Sequence, residues 1–213
     1  MSLNKQSGNM YNFVTHTWNA IKGKCEHDCS YCYMKIWGKL KPIRLDQKEL
    51  NVDLGKSNFI FVGSSTDMFA NNVPKEWISK TLEHCRKYNE NTYLFQTKNP
   101  ERMMNFLKEF PKETIFGTTI ETNRHDTKIM GKSPSPFSRA TALFYIHLKG
   151  HRTMVTIEPI LDFDEEELIN LIKTIKPEWV NIGADSKNHN LPEPSYEKIL
   201  KLVSRLEKFT KIN

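Results

Sequence analysis

Three of the four cysteines of this chain, Cys25, Cys29 and Cys32, lie within the nine-residue stretch CEHDCSYCY. A structural zinc site takes four ligands, usually as two separated pairs, and an electron-carrying 4Fe-4S cubane takes four cysteines. Three thiolates on one short loop can instead hold three irons of a cubane and leave the fourth iron open to a substrate or cofactor. The C-x3-C-x2-C spacing therefore predicts an iron-sulfur site with an open iron.

A zinc site is the alternative interpretation of these cysteines. It would need His16, His27 or Cys85 as the fourth ligand, and it would leave the regular alternation of strands and helices described below unexplained. Cys85 lies in the middle of a predicted helix, where a small buried residue is the usual role of a cysteine. His27 and Asp28, inside the cysteine stretch, are expected to hydrogen-bond the backbone or to tune the site rather than to bind metal.

Further polar residues follow each predicted strand, where the chain leaves it. The carboxyl ends of parallel strands share one edge of a sheet, so we expect these side chains to lie close together. The candidates are Ser64, Ser65, Thr66 and Asp67 after the second strand, Lys98 after the third, Thr118, Thr119 and Glu121 ending the fourth, Glu158 after the fifth, and Asn181 and Asp185 around the sixth. Turn-forming, helix-capping, solvated or ion-paired roles are the structural alternatives.

The elements that must position these residues are six strands and five amphipathic helices. β-Branched and aromatic runs predict strands at 12–17, 58–62, 92–97, 114–120, 153–157 and 179–183. Helices are predicted at 75–88, 101–110, 138–149, 165–175 and 196–209, with a weaker one at 34–41. Their start signals are Pro74, Asn99 before Pro100, Asp164 with Glu167 in a capping box, and Ser195.

Strands that alternate with helices predict parallel pairing and an α/β fold. Two architectures remain open, a doubly wound open sheet and an incomplete barrel with six of the eight units of a full one. The polar and basic stretch 122–137, with two Ser-Pro pairs, predicts a long loop that could act as a mobile lid. Residues 1–11 are interpreted as a tail and residues 12–213 as a single domain.

Composition adds an indication about partners. Lys and Arg exceed Asp and Glu by 31 to 25, a net charge of +6 that suits a polyanionic partner and equally a basic solvated surface. No apolar run approaches the roughly 18 residues that a membrane span requires, and the first ten residues lack the apolar core of a signal peptide. We therefore expect a cytoplasmic protein with no membrane partner, in a reducing compartment where clustered thiols bind metals.

The cysteine spacing, followed by the aromatic Tyr33, resembles the signature of the radical SAM superfamily. The usual core of that superfamily is a six-unit partial barrel with this motif just after the first strand. With no dinucleotide-binding GxGxxG in the chain, the resemblance implies an incomplete (β/α)6 TIM-like barrel. More narrowly, THTWNAIKGKCEHDCSYCY, FVGSSTDMFANNVPKEW, YLFQTKNPER and VTIEPIL, within residues 12–161, are similar to a phage-associated three-cysteine-motif family. Spore photoproduct lyase is a more distant likeness, which rests mainly on the cysteines and on Thr97-Lys98.

The resemblance implies two cofactors. A 4Fe-4S cluster would be held by Cys25, Cys29 and Cys32, and its open iron would chelate S-adenosylmethionine (SAM). Reductive cleavage of SAM would then give a 5'-deoxyadenosyl radical that abstracts a hydrogen from an unactivated carbon.

Roles for the other candidates also come from the resemblance. The chain has GSSTD where the superfamily commonly carries a GGE-like stretch, so which of Ser64, Ser65, Thr66 and Asp67 binds the SAM amino group stays open. The remaining implied roles are the SAM carboxylate for Lys98, the ribose for Thr119 and Glu121, a ribose hydroxyl or a substrate proton for Glu158, and a backbone contact with adenine for Tyr33.

The function that follows is a radical SAM enzyme acting on a nucleic acid or nucleotide, with an external electron donor. A separate partner protein is a further expectation, because the core leaves little chain for a substrate domain. A peptide or small metabolite is an alternative substrate, and a noncatalytic metal-binding interaction module is an alternative from another class. Trp18, Trp37 and Trp77 are predicted to pack within the protein rather than to stack on bases.

Overall fold

The computed structural model describes residues 3–6 and 11–213, in which short strands alternate with helices. The strands are β1 Asn4–Lys5, β2 His16–Trp18, β3 Ile21–Lys22, β4 Arg44–Leu45, β5 Phe59–Val62, β6 Thr92–Thr97, β7 Thr114–Thr119, β8 Arg152–Ile157, β9 Trp179–Ile182 and β10 Lys211–Ile212. The α-helices are α1 Lys75–Arg86, α2 Pro100–Met103, α3 Thr127–Met130, α4 Pro136–Leu148, α5 Glu165–Ile175 and α6 Tyr196–Leu206.

Eight strands form one sheet in the order β1-β2-β5-β6-β7-β8-β9-β10, and β3 and β4 form a separate antiparallel pair. Each neighbouring pair from β2 to β10 is parallel, whereas β1 runs antiparallel to β2. The strands from β5 to β9 thus lie side by side in the order in which they occur in the chain, as in successive strand-helix-strand units. The predicted mixed α/β fold with a mostly parallel sheet is confirmed.

The two faces of the sheet are covered differently. One face packs against α1, α4, α5 and α6 in the main core, and it includes Ile60, Tyr93, Phe116, Val155 and Val180. The opposite face, called the inner face below, carries a smaller apolar cluster of Phe61, Leu94, Ile115 and Met154, with Tyr11, Phe13 and Trp179 packed beside it. That cluster contains no residue of the six helices among the described residues. A doubly wound sheet carries helices on both faces, whereas the helices that pack in the main core here belong to one face.

The inner face becomes more polar toward the carboxyl edge of the sheet. Because side chains alternate along a strand, Leu94 shares this face with Gln96 and Lys98. By the same rule, Thr156 lies on the inner face with Met154 in β8. Asn181 lies there with Trp179 in β9 and is the register partner of Thr156. The apolar cluster therefore closes the amino-terminal end of the inner face, and polar groups gather at the carboxyl end.

Three predicted elements differ from those observed, each for a local reason. The first strand begins at His16 rather than at residue 12, because the Val14 amide donates to the Tyr11 carbonyl (2.9 Å) and closes a turn. The helix predicted at 101–110 is the short α2 followed by a 3-10 turn at Met104–Phe106. The weaker helix at 34–41 is a 3-10 turn at Tyr33–Trp37, which Gly38 ends with a φ of 76°.

The predictions of helix caps were partly correct. Ser195 caps α6, since its hydroxyl accepts from the Lys198 amide (3.3 Å). The side chains of Asn99 and Asp164 do not cap their helices, although both residues hold the N-cap positions. Tertiary partners take them instead, because the Asn99 amide donates to the Phe69 carbonyl and Asp164 accepts from an arginine. The predicted N-cap positions of Asn99 and Asp164 are therefore observed, but the capping box predicted for Asp164 is wrong.

Part of the predicted tail belongs to the sheet, because Asn4 and Lys5 pair with β2. The rest of that tail, residues 1–2 and 7–10, lies outside the described residues, and its separation from a 12–213 domain stays a prediction. Of the helices in the described residues, none combines the length and the apolar character needed to cross a lipid bilayer.

Candidate active site

The three clustered cysteines lie on an excursion of the chain that leaves the sheet and returns to it. The excursion starts after β3 and ends at β4, and Ile21 and Lys22 pair with Leu45 and Arg44 at its base. Within it, the Lys24 amide donates to the Lys41 carbonyl (2.9 Å), which keeps the outgoing and returning segments together. Residues 24–33 are called the cysteine loop below.

Gly23 is required where the excursion closes. It has a φ of 118°, and a Cβ there would lie 2.5 Å from the Pro42 carbonyl oxygen. A side chain would therefore push the returning segment away, in addition to straining the backbone.

The three thiols are free, with Cys29 buried and Cys25 and Cys32 half-buried. Burial raises the pKa of the Cys25 thiol to about 12, and the Asp67 carboxylate adds to the effect. Burial also raises the pKa of Cys29, against the opposing influence of Lys98. Thiols of this kind lose their protons when a metal binds, so the donor set fits a cationic iron-sulfur cluster.

The surroundings of the cysteines do not make a mononuclear site. Within residues 3–6 and 11–213, no three His, Cys, Asp or Glu side chains are grouped closely enough to hold one metal ion. A tetrahedral zinc site needs such grouping, whereas each cysteine of a cubane binds a different iron. Of the proposed fourth ligands, Cys85 is fully buried in α1, and His27 is engaged by a carboxylate.

His27 and Asp67 join the cysteine loop to the sheet. The His27 Nε2 atom lies 3.0 Å from Asp67 Oδ2, and both residues are largely buried. Asp67 also accepts from the Thr97 hydroxyl (2.7 Å) and from the Lys98 amide (2.8 Å). Burial acts to raise the pKa of Asp67, but the contact with His27 and these hydrogen bonds outweigh it and lower the pKa. Asp67 thus connects the cysteine loop with the carboxyl end of β6.

A buried charged cluster lies beneath the cysteine loop. Glu121 and Arg139 have fully buried side chains, and Arg139 Nη1 donates to Glu121 Oε2 (2.7 Å). Lys98 Nζ donates to the other carboxylate oxygen (2.5 Å) and to the Tyr31 hydroxyl (2.7 Å), and that hydroxyl donates to Glu121. Burial acts to raise the pKa of Glu121, but Arg139 and Lys98 outweigh it and lower the pKa to about 2. We call these four residues the Glu121 cluster; with one carboxylate and two cations, it carries a net charge of +1.

The serine-rich turn after β5 uses most of its polar atoms within the protein. Asn19 holds it, since Asn19 Oδ1 accepts from the Ser65 amide (2.9 Å) and Asn19 Nδ2 donates to the Ser64 hydroxyl (3.2 Å). Thr66 donates its hydroxyl to the Gly23 carbonyl (3.0 Å). The Tyr33 hydroxyl donates to the Ser64 carbonyl, which ties the end of the cysteine loop to this turn.

On the β8 and β9 side of the inner face, the polar side chains make fewer hydrogen bonds within the protein. Glu158 is half-buried and accepts from the Thr156 hydroxyl (2.9 Å). Asn181 is 5% exposed, yet neither its amide nitrogen nor its amide oxygen has a hydrogen-bond partner among the described residues. An unpaired buried amide is costly, so Asn181 has a donor and an acceptor available to a water molecule or a ligand.

The stretch 122–137 supports the cysteine loop and contains the short helix α3, which corrects its prediction as one long loop, while its action as a mobile lid stays a prediction. The Ser30 amide donates to the Ile129 carbonyl (2.8 Å), and the Lys132 amide donates to the His27 carbonyl (2.7 Å). Gly131 lies so close that a Cβ there would be 1.9 Å from the His27 carbonyl oxygen. Short elements of this stretch, including α3, are therefore packed directly against the predicted ligand loop.

The structure brings most of the sequence-predicted residues to one edge of the sheet. Thr119 faces inward, where its hydroxyl accepts from the Gln96 amide (3.4 Å), whereas the Thr118 hydroxyl bonds the Thr97 carbonyl, so the expected alternation of the two is observed. Asp185 bonds His189 in its own loop.

Two members of the Glu121 cluster were missed by the sequence reasoning. Arg139 had a signal, because it lies on the buried stripe of α4 with Ala142, Leu143 and Ile146, where an arginine needs a buried partner. Tyr31 had no comparable signal.

The tryptophans include one clear correction. Trp18 is buried and Trp77 packs against the core, as predicted. Trp37 is 74% exposed, so its prediction as a packing residue is wrong. It lies on the 3-10 turn at Tyr33–Trp37, which follows Cys32, and none of the residues of that turn is buried.

Solved structures show the same fold. The chain is similar to a spore photoproduct lyase mutant with bound AdoMet and dinucleoside spore photoproduct, at 14% identity and a TM-score of 0.64, over 98% of this chain and 66% of that one. It is also similar to spore photoproduct lyase complexed with dinucleoside spore photoproduct, at 15% identity and a TM-score of 0.63, over 97% of this chain and 64% of that one. The chain thus spans slightly less than two thirds of these lyase chains.

Sequence comparisons place the chain more narrowly. No curated protein matches it significantly. A family profile described as "Protein of unknown function (DUF5131)" matches residues 9–195, which is most of the chain. The chain therefore belongs to the DUF5131 family.

Proposed function

We propose that this protein is a radical SAM enzyme that acts on a nucleic acid or nucleotide. The observation that carries the proposal is the cysteine loop, which presents three free thiols at the carboxyl edge of a mostly parallel sheet. Among the described residues, the apolar cluster on the inner face of that sheet includes no helix residue. The fold shared with spore photoproduct lyase supports it, since two of those solved lyases hold AdoMet or a dinucleoside lesion.

The proposed metal ligands are Cys25, Cys29 and Cys32. When bound, a reduced 4Fe-4S cluster supplies the electron that cleaves SAM into methionine and a 5'-deoxyadenosyl radical. The protein's own contribution is to fix the loop through Asp67 and the packed 122–137 stretch. Because Cys29 is buried and the other thiols are half-buried, the same packing limits the access of water to the site.

The cationic side of the site is proposed to hold the charged end of SAM. Within the Glu121 cluster, Arg139 is fully buried, whereas the Lys98 side chain is 16% exposed. Lys98 is therefore the cation that can reach a bound carboxylate. Ser64 and Ser65, on the turn held by Asn19, lie on the neighbouring strand end. We assign the SAM amino group to Ser65, because the side chains of Ser64, Thr66 and Asp67 are engaged within the protein.

The β8 and β9 side is proposed to contact the nucleoside part of SAM or the substrate. Glu158 and Thr119 provide acceptors for hydroxyl groups, and Asn181 offers a free donor and a free acceptor at one position. A paired donor and acceptor match the edge of a nucleobase. Tyr33 keeps its proposed backbone contact with adenine, and Glu121 is reassigned from the ribose to the support of Lys98.

The finer predictions about architecture and setting belong to the same proposal. The sheet is proposed to curve into the incomplete (β/α)6 barrel of radical SAM enzymes. An external electron donor, a cytoplasmic location, a possible partner protein and the phage-associated likeness accompany this function. The net charge of +6 supports a polyanionic substrate in preference to a peptide or small metabolite.

The test is anaerobic reconstitution with iron and sulfide, reduction with dithionite in the presence of SAM, and chromatography for 5'-deoxyadenosine. We expect visible iron-sulfur absorption and product formation, both lost when Cys25, Cys29 or Cys32 is replaced by Ala. Cys85→Ala is the matched control, because this fourth cysteine is buried in α1 and should leave the absorption unchanged.

Zinc uptake without iron uptake would contradict the proposal, as would a normal cluster in all three cysteine variants. A cluster without SAM binding would leave the noncatalytic metal-binding module as the better interpretation. SAM binding can be measured by equilibrium dialysis, so this outcome does not depend on supplying the correct substrate.

A further inference from the structure

The segment that returns from the cysteine loop to the sheet, residues 33–44, has an unusual surface. Its sequence, YMKIWGKLKPIR, contains four basic residues and no acidic one. It begins with the 3-10 turn at Tyr33–Trp37, immediately after Cys32, and ends where Arg44 pairs with Lys22 in β4. We call it the Trp37 segment.

The apolar side chains at its tip are exposed. Trp37 is 74% exposed and its neighbour Ile36 is 60% exposed. Exposed indoles are uncommon because the tryptophan side chain buries a large apolar area when it packs. The two side chains therefore form a small apolar tip that the protein itself does not cover.

Some of the cations beside the tip have acidic partners and others do not. Lys35 pairs with Asp28 (3.0 Å), and so does Lys24 (3.2 Å). Lys39, Lys41 and Arg44, however, make no ion pair within the part of the chain that the structure describes. Arg44 does add to the effect of Lys22 in lowering the pKa of Asp46. In contrast, Arg124 of the basic stretch 122–137 is neutralised by two aspartates. The cations near the cysteine loop that make no ion pair within the described residues thus include three on the Trp37 segment, together with the exposed Lys128 and Lys132 of stretch 122–137.

This combination matches a nucleic acid strand better than other partners. Protein interfaces are depleted in lysine, and membrane-bound surfaces need a wide apolar helix face, whereas this tip is one short turn. Grooves that bind single strands combine cations for the phosphates with aromatic side chains on which bases stack. An unpaired indole beside three unpaired cations has both components.

The position of the segment relates it to the proposed chemistry. The Tyr33 hydroxyl bonds the Ser64 carbonyl, and the Lys24 amide bonds the Lys41 carbonyl, so both ends of the segment are fixed to the site. A strand held by the segment would therefore lie beside the cysteine loop. We infer that the Trp37 segment docks a single-stranded polynucleotide, with a base stacked on Trp37 and phosphates at Lys39, Lys41 and Arg44. The inference rests on the proposed function for the identity of the substrate, but the docking itself needs no radical chemistry.

The experiment measures binding of the iron-reconstituted protein to a fluorescein-labelled single strand by fluorescence anisotropy. An oligonucleotide of about 20 nucleotides is suitable, because one binding groove covers roughly 4–16 nucleotides. We expect Trp37→Ala to weaken binding about tenfold, as loss of one base stack does. Lys39→Ala and Lys41→Ala should each lower the slope of log Kd against log salt by about 0.7.

Two matched controls lie at the other end of the molecule. Tyr145 is an exposed aromatic residue near the end of α4, and Lys208 is exposed after the end of α6, so both are near the amino-terminal edge of the sheet. Tyr145→Ala and Lys208→Ala should bind the oligonucleotide as the unchanged protein does. Circular dichroism melts of all variants separate a loss of contact from a loss of fold.

The inference is overturned if the unchanged protein fails to bind the strand at moderate salt, or if Trp37→Ala binds as tightly as Tyr145→Ala. It is also overturned if anionic phospholipid vesicles retain the protein through Trp37 while the oligonucleotide does not. Formation of 5'-deoxyadenosine is measured separately without nucleic acid. A protein that cleaves SAM but ignores the strand loses only this inference, whereas one that binds through Trp37 but never cleaves SAM loses only the proposed function.

Discussion

The two sides of the inner face differ in whether their buried polar groups are hydrogen-bonded within the protein. On the β6 and β7 side, both carboxylate oxygens of Glu121 are bonded, one by Arg139 and the other by Lys98 and Tyr31. On the β8 and β9 side, the buried amide of Asn181 has no partner among the described residues. On the first side the carboxylate is fully bonded within the protein and supports the cysteine loop, although Arg139 Nε has no partner among the described residues. On the second side the amide keeps hydrogen-bonding capacity that a ligand can use.

The comparison separates structural from ligand-binding polarity. Buried charges that are already paired stabilise one conformation. Removing one partner leaves the other charge buried and unpaired, which destabilises the fold. Unpaired buried polar atoms reduce stability and are retained where function needs them. Mutations on the two sides should therefore have stability effects of opposite sign.

The largest effect is expected from Arg139→Met. This change leaves Glu121 in a buried site with one cation fewer, and loss of a partner from a buried pair costs about 3–5 kcal/mol. The measurement is urea unfolding followed by circular dichroism. Arg152→Met is the control, because the Arg152 pair with Glu178 is surface-exposed and should cost no more than about 1 kcal/mol. Equal losses in the two variants would contradict the structural role of the Glu121 cluster.

Acid should weaken the same side of the inner face. The pKa of Glu121 is lowered to about 2 in the folded protein from an ordinary value of 4.5. Its contribution, roughly 3 kcal/mol by the linkage relation, is therefore complete above pH about 4.5 and is lost as the pH falls toward 2. Thermal melts of the metal-free protein between about pH 6 and 3 measure this loss. Glu121→Gln should flatten the dependence, and an unchanged slope in that variant would refute the assignment.

Asn181→Leu should move stability in the other direction. Replacing an unpaired buried amide with an apolar side chain of similar size removes a desolvation cost, so we expect a gain of about 1 kcal/mol together with weaker SAM binding. Asn91→Leu is a matched control, since the Asn91 amide is buried and bonded to Leu54, Gly55 and Asn58, and its loss should destabilise the protein. If both variants are destabilised equally, the contrast between the two sides fails.

The most specific effect is expected on ligand binding rather than on stability. Lys98→Ala should weaken SAM binding by about tenfold, because a charge-assisted hydrogen bond contributes roughly 1.5–3 kcal/mol, while iron content stays normal. Glu121 retains Arg139 and Tyr31 in this variant, so the fold should persist. Equilibrium dialysis with labelled SAM measures the affinity, and unchanged affinity would remove Lys98 from the ligand side of the cluster. Lys201→Ala provides the control, because the exposed Lys201 on α6 pairs with Glu165 on α5.

The elements of this protein were largely predictable from short-range patterns. The period of the apolar residues predicted α5 at Glu165–Ile175 and β6 at Thr92–Thr97 with the bounds observed. The buried state of Cys85 followed from its place in an amphipathic helix. These features depend on neighbours within a few positions, which is why the sequence by itself determined them.

Only the tertiary structure decided which groups face each other. Tyr31 bonds Glu121 across 90 positions, and Arg139 reaches it from a helix behind the sheet, so neither contact is visible in a local pattern. The bonding of Asp67 within the protein, the unpaired amide of Asn181 and the exposure of Trp37 arise in the same way. Each depends on the register of parallel strands and on the course of the excursion between β3 and β4, and these are set by packing between segments that are distant in the chain.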